Sequence, residues 1–168
     1  EELILKREFT KLYKIKNLNT GDPCIAQIST IKIKQVSDDE IHNISTELHK
    51  ISQLDNPSVL KFIGYSLVNF KSKRKPVIIT EYSSNGTLDQ IIQLERDNNE
   101  IIGWDYTKKL INIFGIASGM NYLHSHDIIH RDLNPESIFL DDYLFPKICD
   151  FGLSTRFLSN DTMSHRSV

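Results

Sequence analysis

Two aspartate motifs stand out in the second half of the chain. His-Arg-Asp-Leu occupies 130–133, and Asp-Phe-Gly at 150–152 follows with its aspartate eighteen residues after the first. Carboxylate oxygens are the ligands that hard cations such as Mg²⁺ prefer. Short apolar runs at 138–140 and 146–148 flank a polar turn between the two motifs. This pattern predicts a small hairpin with one carboxylate motif on each side of it.

A long helix is predicted immediately before the first motif. Asp105 is a suitable N-cap, and the helix continues to about Ser125. Five of its residues fall on one stripe: Tyr106, Leu110, Ile113, Ala117 and Met120. Gly115 and Gly119 lie on the same helix, where a glycine costs up to ~1 kcal/mol. Close packing of these glycines against a neighbouring element is therefore predicted.

The first half of the chain reads mainly as strands. Apolar alternation at 11–16 and a β-branched run at 24–33 flank a turn, which predicts a hairpin. Apolar residues at helical spacing predict a helix over 38–54, ended by Asn56-Pro57. Strands are predicted at 59–67 and 77–80, and a short helix at 88–94. These elements together predict an α+β fold.

In this order and at this separation, the two aspartate motifs resemble the catalytic loop and the metal-binding tripeptide of protein kinases. The resemblance covers essentially all 168 residues. It implies a protein-kinase-like bilobal fold with an antiparallel β N-lobe (1–80), a hinge (81–83) and a helical C-lobe (84–168), and with the cleft at the hinge. The catalytic loop would span 130–137, and the activation segment would begin at 150. The C-lobe would be truncated in that segment, exposing apolar faces of the long helix.

The resemblance also assigns roles to individual residues in phosphoryl transfer from ATP with Mg²⁺. Asp132 would orient the substrate hydroxyl, and Arg131 would pair with a phosphate or carboxylate of the activation segment. Asp150 would hold a metal ion. Glu47 looks like the glutamate of the family's N-lobe helix. Residues for adenine would be a gatekeeper, two hinge residues, an apolar wall and a floor: Thr80, Glu81, Ser83, Ala26 and Phe139.

Several positions depart from the family pattern. The three glycine places of the phosphate-binding loop hold Leu5, Arg7 and Thr10, whose side chains obstruct the approach of backbone N–H groups to phosphate. Gln27 occupies the place of the strand lysine if Cys24–Gln27 is aligned with it. Lys32 or Lys34 is the alternative, because its spacing to the helix glutamate also suits the family.

Two further departures lie in the catalytic loop. Ser137 stands where the family has a metal-binding asparagine, and a hydroxyl is a possible but shorter Mg²⁺ ligand. Asn134 replaces the lysine of serine/threonine kinases, so specificity for serine, threonine or tyrosine stays open. The interpretation is a protein kinase domain with impaired catalysis and weakened ATP and Mg²⁺ binding. A pseudokinase scaffold or allosteric binding module, and a decayed product without independent function, are the alternatives.

Composition and charge limit the kinds of partner and the cellular location that can be expected. The net charge is −2, with 39% apolar and 25% charged residues, so nothing indicates attraction to nucleic acid. Cys24 and Cys149 lack a partnered spacing, which fits a reducing, cytoplasmic compartment. No apolar run approaches the ~18 residues of a membrane span, and the N-terminus has no signal-peptide pattern. A protein substrate or a regulatory protein is the expected partner.

Overall fold

The computed structural model describes residues 1–7, 10–30, 46, 48–73 and 75–150. Among these described residues, five strands come first: β1 Glu2–Lys6, β2 Thr10–Lys16, β3 Pro23–Ser29, β4 Phe62–Ser66 and β5 Val77–Glu81. The remaining elements are mainly helical: α1 Leu88–Arg96, α2 Tyr106–Ser125, the 3₁₀ turn Pro135–Ser137, β6 Ile138–Leu140 and β7 Pro146–Ile148. Thr46 and residues 48–52 are also helical, and the rest of the helix predicted over 38–54 lies outside the described residues.

The described residues separate into two compact units. One contains the residues before 55 together with Lys61–Tyr82, and the other contains Asp55–Leu60 together with 83–150. The first unit is built on an antiparallel sheet with the strand order β1-β2-β3-β5-β4. Ala26, Ile28 and Val77 form a buried cluster on one face of this sheet. Burial of this apolar surface is the main favourable contribution to the sheet's stability.

The second unit is organised around the β6–β7 hairpin. Ile138 pairs with Ile148 within the hairpin. On one side, residues 58–60 run parallel to β7, with the Leu60 N–H donating to the Ile148 carbonyl at 2.9 Å. On the other side, Thr87 bridges to Phe139 of β6. The strand predicted at 59–67 therefore begins only at Phe62, because residues 58–60 bond to β7 instead.

Close packing of α2 explains its two glycines, as predicted. A Cβ at Gly119 would lie 2.7 Å from Ile148 Cδ1 and 3.1 Å from the Ser58 carbonyl oxygen. A Cβ at Gly115 would lie 2.6 Å from Pro146 Cγ. Side chains at these two places would push the helix away from β7 and residues 58–60. The absence of side chains therefore lets α2 lie directly on the hairpin.

The large apolar residues of α2 lie on the side away from this contact. Asn112, Gly119 and Leu123 are its buried residues. Exposed fractions are high along the outer side: Tyr106 76%, Leu110 48%, Ile113 66% and Phe114 75%. We call these four residues the outer face of α2. The predicted stripe is thus real, but the contact with the hairpin uses the glycine side of the helix.

Both helices of the second unit begin at caps. The Asp105 side chain accepts from the Lys108 N–H at 2.7 Å, so the predicted N-cap of α2 is confirmed. Thr87 and Gln90 form a reciprocal capping box at the start of α1. Such caps satisfy backbone N–H groups that have no partner inside the helix. They fix where the helices start relative to β6.

Candidate active site

The β2–β3–β5 register shows which side chains share a face of the first unit's sheet. Leu12 lies opposite Gln27, and Ile25 lies opposite Thr80. Directly opposed residues point to the same face, and faces alternate along each strand. Leu12, Ile25, Gln27 and Thr80 therefore share one face, which we call the Gln27 face. Leu12 and Ile25 are buried there, while Gln27 and Thr80 are half-buried.

Ala26 is on the opposite face of the same sheet. It lies opposite Ile79 and is fully buried in the cluster with Ile28 and Val77. The apolar residues that accompany Thr80 are consequently Ile25 and Leu12, which the sequence analysis did not single out. Strand alternation could have found Ile25, because it stands two residues before Gln27.

The segment expected to form the hinge is held by bonds within each unit. The Glu81 N–H donates to the Lys61 carbonyl at 2.9 Å, and its carboxylate accepts from the Lys61 N–H at 3.1 Å. The Ser83 hydroxyl is buried and donates to the Leu140 carbonyl at 2.6 Å. The Ser83 side chain is thus engaged in the second unit, so only its backbone could serve a ligand.

The glycine places near the β1–β2 connection carry ordered side chains. Leu5 belongs to β1 and pairs with Leu12, and Thr10 belongs to β2 and pairs with Ser29. The Arg7 N–H donates to the Thr10 carbonyl at 2.9 Å. That N–H is therefore used within the hairpin. Lys32 and Glu47, expected to lie near nucleotide, are outside the described residues.

His130 connects the catalytic loop to the end of β7. It is 1% exposed, and its Nε2–H donates to the Cys149 carbonyl at 2.8 Å. Its Nδ1 accepts from the Asp132 N–H at 3.3 Å, which assigns the ring proton to Nε2. Burial lowers the pKa of His130, while the Cys149 hydrogen bond and the charges of Asp150 and Asp132 oppose that shift. The ring is therefore a neutral structural connector.

Two residues next to this connector have left-handed backbones. Arg131 has φ of 67° and Asp150 has φ of 63°. Aspartate tolerates this region better than arginine, and such strain persists only where surrounding contacts hold it. The Cys149 thiol donates to Asp150 Oδ2 at 3.2 Å. Arg131 and Asp132 are both exposed.

Asn134 and Ser137 bond to each other across the 3₁₀ turn. Asn134 Oδ1 accepts from the N–H groups of Glu136 and Ser137 at 2.9 and 3.1 Å. The Ser137 hydroxyl donates to the Asn134 carbonyl at 2.8 Å and accepts from the Asn134 N–H at 3.0 Å. Ser137 is 3% exposed. The hydroxyl predicted as a metal ligand is therefore engaged inside the loop.

The donor set does not fit a pair of magnesium ions. Within the described ranges, no group of three or more His, Cys, Asp or Glu side chains could hold a metal. Asp150 offers one carboxylate at the family's metal position, and the Ser137 hydroxyl is engaged. Phe139, the expected adenine floor, is buried in β6.

The sheet, the helical unit and the catalytic loop together define a protein kinase fold, and the predicted α+β kinase-like class is confirmed. The family model for protein tyrosine and serine/threonine kinases matches residues 4–167. The chain therefore belongs to the protein kinase family.

Two of the named relatives are receptors. Tyrosine-protein kinase receptor svh-2 of Caenorhabditis elegans is 40% identical over 120 residues, covering 71% of this chain and 10% of the relative. Ephrin type-A receptor 1 of Homo sapiens is 36% identical and covers 95% of this chain and 15% of the relative. The chain thus spans a small part of these relatives.

A solved apo pseudokinase structure shares the fold. It has a TM-score of 0.71 and 21% identity, covering 89% of this chain and 52% of the pseudokinase. Among the helices of the described ranges, none is long and apolar enough to cross a membrane.

Acidification is expected to destabilise the second unit through His130. Its folded pKa lies below the ordinary value of 6.5, so the unfolded chain binds more protons as pH falls. The contribution is fully present above about pH 6.5 and declines below it, by at most about 1.4 kcal/mol per pH unit. Urea unfolding at several pH values measures the slope. His130→Gln should reduce this slope.

Proposed function

We propose that this kinase domain binds the adenosine end of ATP weakly and transfers the phosphoryl group poorly or not at all. The observation that carries the proposal is the Ser137 hydroxyl, which is engaged inside the catalytic loop. Kinases use ATP with magnesium and need the negative charge of the phosphates neutralised. Here the described residues retain Asp150 as a carboxylate ligand and offer no second free oxygen ligand at position 137.

Gln27 also supports the proposal that phosphoryl transfer is poor. An amide at this place carries no positive charge, so it cannot neutralise phosphate or pair with a glutamate as a lysine would. Leu5, Arg7 and Thr10 add side chains where the family brings backbone N–H groups close to phosphate. Phosphate recognition is therefore weakened at each of these places.

The residues available to bind adenine are better preserved than those available to bind phosphate. Leu12 and Ile25 give the Gln27 face a buried apolar surface beside Thr80. Pockets for planar ligands are mainly apolar with a few polar groups. Affinity is therefore expected to depend on the adenosine part of the ligand, with little dependence on magnesium.

The expected loss of catalytic rate is larger than the expected loss of adenosine affinity. Removing one charge-stabilising contact typically costs about 10²–10³ in rate, and such losses do not add. Asp132 remains exposed in the loop and could still orient a hydroxyl, and exposed Arg131 could still pair with a phosphate or carboxylate of the activation segment. Their retention favours an active kinase as the second candidate, with Lys32 or Lys34 supplying the missing charge.

Titration of ATP and adenosine, each with and without Mg²⁺, separates these candidates. The proposal expects similar weak affinities in all four titrations and no incorporation of labelled phosphate into a general protein substrate. Tight Mg²⁺-dependent ATP binding, with phosphate incorporation that disappears in Asp132→Asn, would establish the active kinase instead. Glu136→Gln, an exposed change in the same loop, is the matched control and should leave either outcome unaltered.

We also propose that the domain binds another protein. A kinase domain with little catalysis retains the surfaces that contact substrates and regulators, so we propose a role as a scaffold or allosteric module. Cys24 and Cys149 are both buried and are not joined in a disulfide, and we propose a reducing intracellular compartment for the domain. Co-purification with intact Asp132 and with Asp132→Asn tests this role, because a scaffold should retain its partner in both.

A further inference from the structure

We infer that Asn134 and Ser137 form a clamp that holds the catalytic loop in shape without a metal ion and excludes a cation from Ser137. We call these bonds the Asn134–Ser137 clamp. The protein would then take at most one divalent cation with nucleotide, at Asp150. The inference deepens the proposed function and rests on its nucleotide binding, because the cation arrives with the phosphates.

Five hydrogen bonds make up the clamp. Two run from backbone N–H groups to Asn134 Oδ1, and a third runs from Asn134 Nδ2 to the Asp132 carbonyl at 3.0 Å. The last two join the Ser137 hydroxyl to the backbone of Asn134. The Asn134 amide and the Ser137 hydroxyl thus brace the same turn from its two ends. Residues 132–137 are therefore stabilised by their own side chains.

The remaining bonding capacity of Ser137 is too small for a hydrated cation. A hydroxyl has one proton and two lone pairs, and the clamp uses the proton and one lone pair. The other lone pair belongs to a residue that is 3% exposed. Mg²⁺ demands near-octahedral geometry and keeps several of its waters. An ion of that size could reach the oxygen only after the turn opened.

Opening the turn would also disturb the hairpin behind it. The Cys149 N–H donates to the Ser137 carbonyl at 2.9 Å, and Cys149 in turn accepts from His130. A shift of Ser137 would therefore strain two further bonds. The loop is consequently fixed on both the clamp side and the hairpin side.

The clamp accounts for two sequence departures together. Position 134 holds asparagine instead of lysine, and position 137 holds serine instead of asparagine. Lysine has no acceptor and could not receive the two N–H groups that Asn134 Oδ1 receives. The Asn134 and Ser137 side chains act on the same turn. Each change alone looks like the loss of a functional residue, but together the two residues stabilise one turn of the loop.

The test counts Mn²⁺ ions bound to the purified protein by electron paramagnetic resonance, with a non-hydrolysable ATP analogue present. The unsubstituted protein is expected to bind no more than one ion. Ser137→Asn should gain one ion, and Ser137→Asp serves the same purpose if the asparagine variant does not fold. Ser137→Ala should leave the ion count unchanged and lower Tm by about 2–8 °C, because it loses two part-buried hydrogen bonds.

Three results would overturn the inference. One is a second ion in the unsubstituted protein that Ser137→Ala removes. Another is a Ser137→Ala variant with unchanged Tm, because the clamp would then stabilise nothing. The third is a folded Ser137→Asn or Ser137→Asp protein that gains no ion. Phosphate incorporation by the unsubstituted protein, with a single bound ion, would overturn the proposed function and leave the clamp standing.

Discussion

Replacing His130 by alanine is expected to lower the free energy of unfolding by about 3–5 kcal/mol. The ring is buried and bonded to the Cys149 carbonyl and the Asp132 N–H. Alanine would leave a cavity and two backbone groups without their partner. Because domains are stable by only about 5–15 kcal/mol, this loss would remove a large fraction of the stability. Urea denaturation followed by circular dichroism measures the loss.

His130→Gln is the matched variant for this experiment. Its amide can donate to the Cys149 carbonyl, so it should recover part of the lost stability. Alanine at exposed His124 should change the free energy of unfolding by less than about 0.5 kcal/mol. Equal stabilities for His130→Ala and the unsubstituted protein would show that the catalytic loop does not depend on this ring.

Self-association through the outer face of α2 is the second large expected effect. Tyr106, Leu110, Ile113 and Phe114 expose large apolar side chains side by side on one helix. Contiguous apolar patches on a protein surface promote association. The 168-residue chain should therefore form oligomers whose population rises with concentration. Ile113→Lys with Phe114→Lys should shift it to monomer in sedimentation velocity experiments.

A charge added elsewhere controls for solubility alone. Gln93 is exposed on α1, and Gln93→Lys adds one positive charge without touching the outer face of α2. This variant should associate like the unsubstituted chain. A monomeric unsubstituted chain, or equal effects of the α1 and α2 substitutions, would contradict the role assigned to the outer face.

Local signals predicted much of the second unit. The short apolar runs at 138–140 and 146–148 became β6 and β7, and Asp105 caps α2. These features depend on neighbouring residues, so the sequence contains them directly. The side of α2 that contacts the hairpin was harder to predict. The helix packs there through Gly115 and Gly119, whose lack of a side chain allows close contact, and not through its large apolar residues. Residues 58–60 likewise pair with a strand almost ninety residues later.

The site was predictable in its residue types and less so in its geometry. The motif positions of Asp132 and Asp150 are visible in sequence, and their roles stay predictions. Ala26 was expected beside the nucleotide, yet strand register puts it on the face opposite Gln27. Ser137 was assigned by alignment with a ligand position, which contains no information on hydrogen bonds already made inside the loop. The spacing of residues in a motif does not show which hydrogen bonds their side chains make in the folded protein.

Residues 58–60 have a consequence for the order in which the protein is made. They leave the ribosome long before Ile148, the strand residue whose N–H and carbonyl they bond. During synthesis at about 5–20 residues per second, this segment would wait several seconds for its partner. The second unit therefore cannot be completed from its own continuous stretch, 83–150. A gene fragment encoding only that stretch would leave one edge of β7 unpaired, and a split protein supplying 55–60 as a separate peptide should complement it.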